Sequence, residues 1–195
     1  MSSRSVPKVR KIVVVGDGAV GKTTTLTTLV NQSAKMTNID RTRFFDFHTL
    51  QDDSSTIQFW DLQGQRFEGI IHPLDLVPEL VCKRSVGVIL MFALDDPSSF
   101  DHLWSEDGWF AAVEPHLPST IPVALVGNKA DLEHSIYPSA CRNLVEGSDR
   151  IDSFFLTSAK TGEGLAELRY WLVDKLPPPA LPTQNYSFVG GIKTA

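Results

Sequence analysis

The 195-residue chain carries only two cysteines, Cys82 and Cys141, too few for a disulfide framework and without the short spacing of a metal knuckle. Both read as small buried apolar residues in a reducing compartment. Long apolar runs are missing as well. The longest, Val86 to Leu94, reaches about half of what a membrane-spanning helix needs. No charge of one sign dominates, since 18 Lys and Arg stand against 23 Asp and Glu for a net charge of −5. That balance excludes a global electrostatic footprint for nucleic acid or an anionic membrane. The five histidines are scattered without metal spacing. The basic start MSSRSVPKVRK leads into a short apolar run that ends in a glycine-rich loop, which is not the pattern of a signal peptide. Ser2 in place of Gly, and a final IKTA without cysteine, predict neither myristoylation nor prenylation. A cytoplasmic, monomeric protein with no direct membrane anchor is the resulting expectation.

What is present is the composition of a globular domain, 42 % hydrophobic and 21 % charged. Ile12 to Val15 is a wholly apolar β-branched run, the signature of a strand buried on both faces. A helix is predicted from Lys22 to Asn31, and a loop over 32–42. Strands at Arg43 to Leu50 and Thr56 to Trp60 flank a polar turn, which predicts an antiparallel hairpin. Asp61 to Arg84 is long and mixed, with Pro73 and Pro78 limiting any helix. Buried strands follow at Val86 to Leu94 and Pro122 to Val126, and a short one at Ser153 to Leu156. Helical stretches are read in Ser98 to His116 (broken near Gly108), Ser139 to Val145 and Leu165 to Leu176. Trp104, Trp109 and Trp171 fall in helical stretches and read as packing residues. His48 alternates with Phe47 and reads as solvent-facing. Strands alternating with helices predict an α/β sheet with ligands at the strand C-termini. The chain divides into an N-terminal extension (1–10), one domain (11–176) and a Pro-rich tail (177–195). The tail opens with Pro177-Pro178-Pro179-Ala180-Leu181-Pro182, which forbids helix and favours an extended segment. It reads either as a surface-draped end or as a partner-docking strip.

Four short motifs carry the chemistry. Gly16-Asp17-Gly18-Ala19-Val20-Gly21-Lys22-Thr23 matches GxxxxGK[ST], follows a buried strand and opens a helix. Its glycines let backbone amides approach phosphate oxygens, and the helix that continues through Thr24 adds its N-terminal amides. Lys22 is expected to reach the β- and γ-phosphates, and the Thr23 hydroxyl to bind Mg²⁺. Asp61-Leu62-Gln63-Gly64-Gln65 follows the next strand. There Asp61 is expected to hold Mg²⁺ through water, Gly64 to offer an amide to the γ-phosphate, and Gln65 to orient the attacking water. Asn128-Lys129-Ala130-Asp131 places a carboxylate after a third strand. A carboxylate accepts the two N–H groups of guanine, which adenine does not offer, so Asp131 selects guanine and speaks against an adenine-using kinase or ATPase. Ser158-Ala159-Lys160 follows the last strand, with the Ala159 amide aimed at the guanine carbonyl.

The four elements in this order resemble the Ras-like small GTPases from about Lys11 to Leu176. Within that superfamily, Asp40-Arg41-Thr42-Arg43-Phe44-Phe45-Asp46-Phe47 looks like the switch I stretch of the MglA-type prokaryotic small GTPases. The resemblance implies a P-loop NTPase G domain, with a mostly parallel six-stranded sheet, one antiparallel strand and helices on both faces. It implies a GTP/GDP switch with Mg²⁺ that hydrolyses GTP, and a role in cell polarity or motility. Effectors and a roadblock-fold GTPase-activating protein are the implied partners. By the same resemblance Thr42, ahead of Thr37, is the switch I threonine that ligates Mg²⁺. Arg41 matches an arginine finger supplied in cis; a solvated switch residue or a partner contact are the other readings of it. The chain departs from MglA-type proteins in lacking Pro before Gly64, and 64–84 is longer than in Ras-like proteins generally. A GTP-binding scaffold without turnover is the alternative this leaves open.

Overall fold

The computed structural model describes residues 9–30, 45–51, 56–65 and 72–177. The loop expected over 32–42, Arg41, Thr42 and the tail from 178 onward lie outside the described residues. Six strands form one sheet: β1 (Val9–Val15), β2 (Phe45–Gln51), β3 (Thr56–Leu62), β4 (Ser85–Ala93), β5 (Val123–Asn128) and β6 (Ser153–Leu156). Their spatial order is β2-β3-β1-β4-β5-β6. Every neighbouring pair is parallel except β2 and β3, whose antiparallel register sets Phe47 opposite Trp60 and His48 opposite Phe59. The mostly parallel six-stranded sheet with one antiparallel strand is as the family resemblance implies.

The apolar runs are continuous because both faces of the sheet are covered. Ile12 and Val14 of β1 and Ile89 and Met91 of β4 join one core cluster. That cluster includes Leu26 and Leu29 of α1 (Lys22–Val30) and Leu165 and Leu168 of α7 (Leu165–Tyr170). Val13, Val15, Val88 and Leu90 point the other way. They meet side chains of α2 (Pro73–Leu76), α3 (Pro78–Cys82), α4 (Pro97–Trp104), α5 (Trp109–Val113) and α6 (Pro138–Glu146). Cys82 and Cys141 are buried in this second cluster, and burial pushes both thiols up to about 11. They are inert apolar filler, as expected.

The local punctuation is physical. Pro73 and Pro78 each occupy the first turn of a short helix, where a missing N–H costs nothing. Gly108 precedes α5, and a Cβ there would meet the His102 carbonyl oxygen at 2.3 Å. Asp96 caps α4 by accepting the Ser98 amide at 3.1 Å. Asp96→Ala should therefore lower stability by about 1 kcal/mol. The urea midpoint would fall with an unchanged slope, and an unchanged midpoint would remove the cap from the account.

Several boundaries differ from the sequence reading, and β1 already starts at Val9, ahead of the expected Ile12. β3 and β5 run further than expected, so Asp61, Leu62 and Asn128 lie within strands rather than after them. The helix expected through Leu176 is α-helical only to Tyr170 and continues as a π-turn over Trp171–Lys175. His48 is not solvent-facing. Phe45 stacks on Trp60 and Phe47 meets it edge-on, on the outer face of the hairpin, with centroids 5.9 and 5.1 Å from that ring. Alternation then turns His48 inward, onto the same face as Asp61.

Candidate functional site

The Gly16–Gly21 loop leaves β1 through an alternation of backbone signs. Gly16, Ala19 and Gly21 have φ of 147°, 63° and 95°. Such alternation turns successive amides into one concavity. Ala19 holds a left-handed conformation at a cost of about 1 kcal/mol, a strain typical of functional loops. Gly16 permits no substitute, because a Cβ would lie 2.0 Å from the Met91 carbonyl oxygen of β4.

Lys22 closes the loop from the first turn of α1. Its Nζ donates to the Gly16 and Asp17 carbonyls at 2.7 and 2.8 Å. Burial lowers the ammonium from its ordinary 10.5 to about 8, against the opposing pull of Asp61 and Asp17. Asp17 sits in the middle of a loop shaped for anions, and its carboxylate is accounted for by donors far away in sequence. Oδ1 accepts from His102 Nδ1 of α4 and from Trp109 Nε1 of α5, both at 2.6 Å. Trp109 is therefore more than the packing residue that the sequence suggests. The one sequence signal for this clamp is an acid placed where phosphate is expected, which demands its own donors.

Asp61 is fully buried and accepts the Thr23 hydroxyl at 2.6 Å through Oδ2. Its Oδ1 has no hydrogen-bond partner among the described residues. An orphaned buried carboxylate oxygen beside a hydroxyl is a donor set suited to a hard cation, so these residues fit Mg²⁺. Among the described residues no group of three or more His, Cys, Asp or Glu could hold a metal ion. His48 Nε2 stands 3.6 Å from Asp61 Oδ2 on the same face of the sheet.

Past the end of β3 the chain crosses the Gly16–Gly21 loop. A Cβ on Gly64 would lie 2.4 Å from both the Asp17 carbonyl oxygen and Lys22 Nζ. A Cβ on Gly18 would lie 2.7 Å from Gln65 Cγ. Gln65 is thus held over the loop at Gly18. Gln63, buried and unassigned by the sequence reading, donates from its side chain to the Gln65 carbonyl at 2.8 Å.

The other end of the site is knit by Asn128. Its Nδ2 donates to the Val20 carbonyl at 2.9 Å, and its Oδ1 accepts the Ala159 amide at 3.0 Å. The Ala159 amide is thus engaged by Asn128 here. Thr157 Oγ1 donates to the same Oδ1 at 3.3 Å. Asp131 Oδ1 accepts the Ser158 hydroxyl at 2.6 Å, and Lys160 Nζ lies 3.3 Å from Oδ2. These contacts hold the Asp131 carboxyl below its ordinary value, Ser158 contributing most. Lys129 takes a positive φ of 66° and pairs with Asp95 at 3.1 Å, a partner the sequence reading treated only as a strand exit. Gly21 packs against this group, where a Cβ would meet Asn128 Nδ2 at 2.3 Å. All the described motif residues therefore lie along one rim, at the C-terminal ends of β1, β3 and β5 and just past β6. Thr24, one residue into α1 from Thr23, lies at the same rim.

Comparison with known proteins gives the same frame. A family model described as the Ras family matches residues 11–177. The GTP-binding protein ypt2 of Schizosaccharomyces pombe is 26 % identical over 189 residues, covering 95 % of this chain and 90 % of the relative. Ras-related protein SEC4 of Candida albicans is 27 % identical over 198 residues, covering 100 % of this chain and 89 % of the relative. Ras-related protein RAB1BV of Beta vulgaris is 30 % identical over 164 residues, covering 81 % of this chain and 71 % of the relative. A family match over residues 11–177, with relatives that align along most of their length, places this chain in the Ras family of small GTPases, GTP-binding molecular switches that hydrolyse GTP.

Proposed function

We propose that the two ends of the rim divide the work of this switch. Gly16 to Lys22 take the phosphates, with Thr23 and Thr24 extending the site into α1. Asn128, Lys129, Asp131, Ser158, Ala159 and Lys160 take the guanine. Thr23 and Asp61 would hold Mg²⁺, with Thr42 as a further ligand by family resemblance. Mg²⁺ bound there supplies positive charge to the phosphate oxygens. Gln65 orients a water for attack on the γ-phosphorus. The new P–O bond forms as the bond to the β-phosphate oxygen breaks, leaving GDP and inorganic phosphate. Lys22 neutralises charge on the departing oxygens, and Arg41 adds a guanidinium in cis. Gly64 offers its amide to the γ-phosphate, so that 64–84, together with 35–48, reports the nucleotide state to effectors.

The observation that carries this reading is the seating of Gly64 and Gln65 on the phosphate loop, against Lys22 and Gly18. The MglA-like stretch around Arg41 and Thr42 supports a roadblock-fold activating partner and a place in polarity or motility control. No helix among the described residues is long and apolar enough to cross a membrane.

The test is Gln65→Ala, followed by chromatographic separation of GTP and GDP. The expected result is hydrolysis slowed by roughly 10²–10³-fold, the order of one lost transition-state contact. GTP affinity should hold, because the substitution removes an interaction with water rather than with nucleotide. Turnover at the wild-type rate would remove Gln65 from the mechanism.

A further inference from the structure

We propose that His72 is the positioning residue for Gln65, acting through the Gln63 carbonyl. The inference rests on the hydrolytic reading above and adds a residue to it. His72 precedes α2 and is 3 % exposed. Its Nδ1 accepts the Leu74 amide at 3.2 Å, as a helix cap does. A ring nitrogen that accepts a backbone N–H carries no proton of its own, so the neutral ring holds its proton on Nε2. Nε2 lies 2.9 Å from the Gln63 carbonyl and donates to it across nine positions of sequence. The ring also meets Trp109 edge-on, with centroids 5.4 Å apart. Trp109 in turn donates to Asp17 of the phosphate loop.

Residues 63–65 are therefore gripped from two sides. His72 holds the Gln63 carbonyl, and the Gln63 side chain holds the Gln65 carbonyl at 2.8 Å. Leu62, fully buried, anchors the strand end just before them. Together these contacts set the backbone from which the Gln65 side chain extends over Gly18. A catalytic side chain displaced by about 1 Å can lose on the order of 10²-fold in rate, so the clamp has kinetic weight.

The two nitrogens of His72 do separate jobs, and two substitutions separate them. In His72→Asn the amide oxygen lies where Nδ1 does and keeps the cap, but the side chain is too short for Gln63. In His72→Gln the amide nitrogen lies near the place of Nε2 and keeps the Gln63 contact, but the cap is lost. Single-turnover GTP hydrolysis with Mg²⁺, GTP affinity and melting temperature would be measured for the full chain and both variants. For His72→Asn the expectation is melting lowered by about 2–6 °C, because the Gln63 carbonyl is left unpaired, and hydrolysis slowed by roughly 10–10²-fold. Its GTP dissociation constant should stay within roughly twofold. For His72→Gln the expectation is melting lowered by about 2–4 °C with hydrolysis close to wild type. A merely structural histidine would slow hydrolysis in both variants in step with their melting temperatures, rather than in His72→Asn alone. Wild-type turnover in His72→Asn overturns the proposal alone, and so does failure of that variant to fold. A wild-type chain that binds GTP without hydrolysing it overturns both the proposal and the reading beneath it.

Discussion

Lys22→Met should weaken GTP binding by about 10²–10⁴-fold, the equivalent of ~3–5 kcal/mol for stripping a buried charge of its partner. The ammonium lies in the concavity formed by the Gly16–Gly21 loop, already bonded to two loop carbonyls. Methionine keeps the length and loses the charge. The same substitution has an opposite signature in the ligand-free chain at alkaline pH. Folding lowers Lys22 from 10.5 to about 8. Between those values the unfolded chain holds the proton and the folded chain has released it, so stability rises with pH through that window. Full release is worth roughly 3 kcal/mol, because each pKa unit is about 1.4 kcal/mol. Lys11, lowered to about 8, and Cys82 and Cys141, raised to about 11, also titrate at alkaline pH. They are common to both proteins and cancel in the difference. Denaturant unfolding at pH 7.5 and about 10 should therefore show wild type gaining on Lys22→Met. Parallel curves would mean that the ammonium is not desolvated, and unchanged GTP affinity would place the phosphates elsewhere.

Asp131→Asn should exchange guanine preference for xanthine. The carboxylate is held anionic by Ser158 and Lys160, so both oxygens accept at neutral pH. Guanine answers with N–H groups at N1 and N2. Asparagine replaces one acceptor by a donor, which faces the 2-amino group of guanine but complements the 2-carbonyl of xanthine. A site built to hydrogen-bond one partner rejects the mismatch strongly because buried polar groups are left unpaired. The expected loss for GTP is about 10²–10⁴-fold, with a gain for xanthosine triphosphate. Competition binding with both nucleotides decides the matter, and retained guanine selectivity would assign the base to another group.

Much of this site can be read in the chain because its residues cluster in short runs. Gly16 to Thr23, Asp61 to Gln65, Asn128 to Asp131 and Ser158 to Lys160 each sit at a strand end, and the apolar runs of β1, β4 and β5 mark those strands directly. Pairing across long sequence distances leaves no such trace. The bond from Trp109 to Asp17 spans 92 positions and that from His102 spans 85. A tryptophan in a helical stretch looks the same whether its N–H meets a carboxylate or solvent. His48 went astray for a different reason. Strand alternation divides a hairpin into two faces without saying which is buried. Here the aromatic residues Phe45, Phe47 and Trp60 cover each other on the outer face, which sends the polar histidine inward. His72 was hidden by Pro73, which suggests a break in structure where the chain has a capped helix.

The sheet also acts as a partition. α1 and α7 lie on one side of it and α2 to α6 on the other, with the side chains of β1 and β4 dealt alternately between them. Among the described residues, the polar contacts that lead from the rim toward α2 and α3 run around the strand ends, where Gly64 meets Lys22 and where Trp109 meets Asp17. Amides in the middle of β1, β4 and β5 should accordingly exchange with deuterium slowest with either nucleotide bound, while the backbone at the rim registers the local difference between diphosphate and triphosphate.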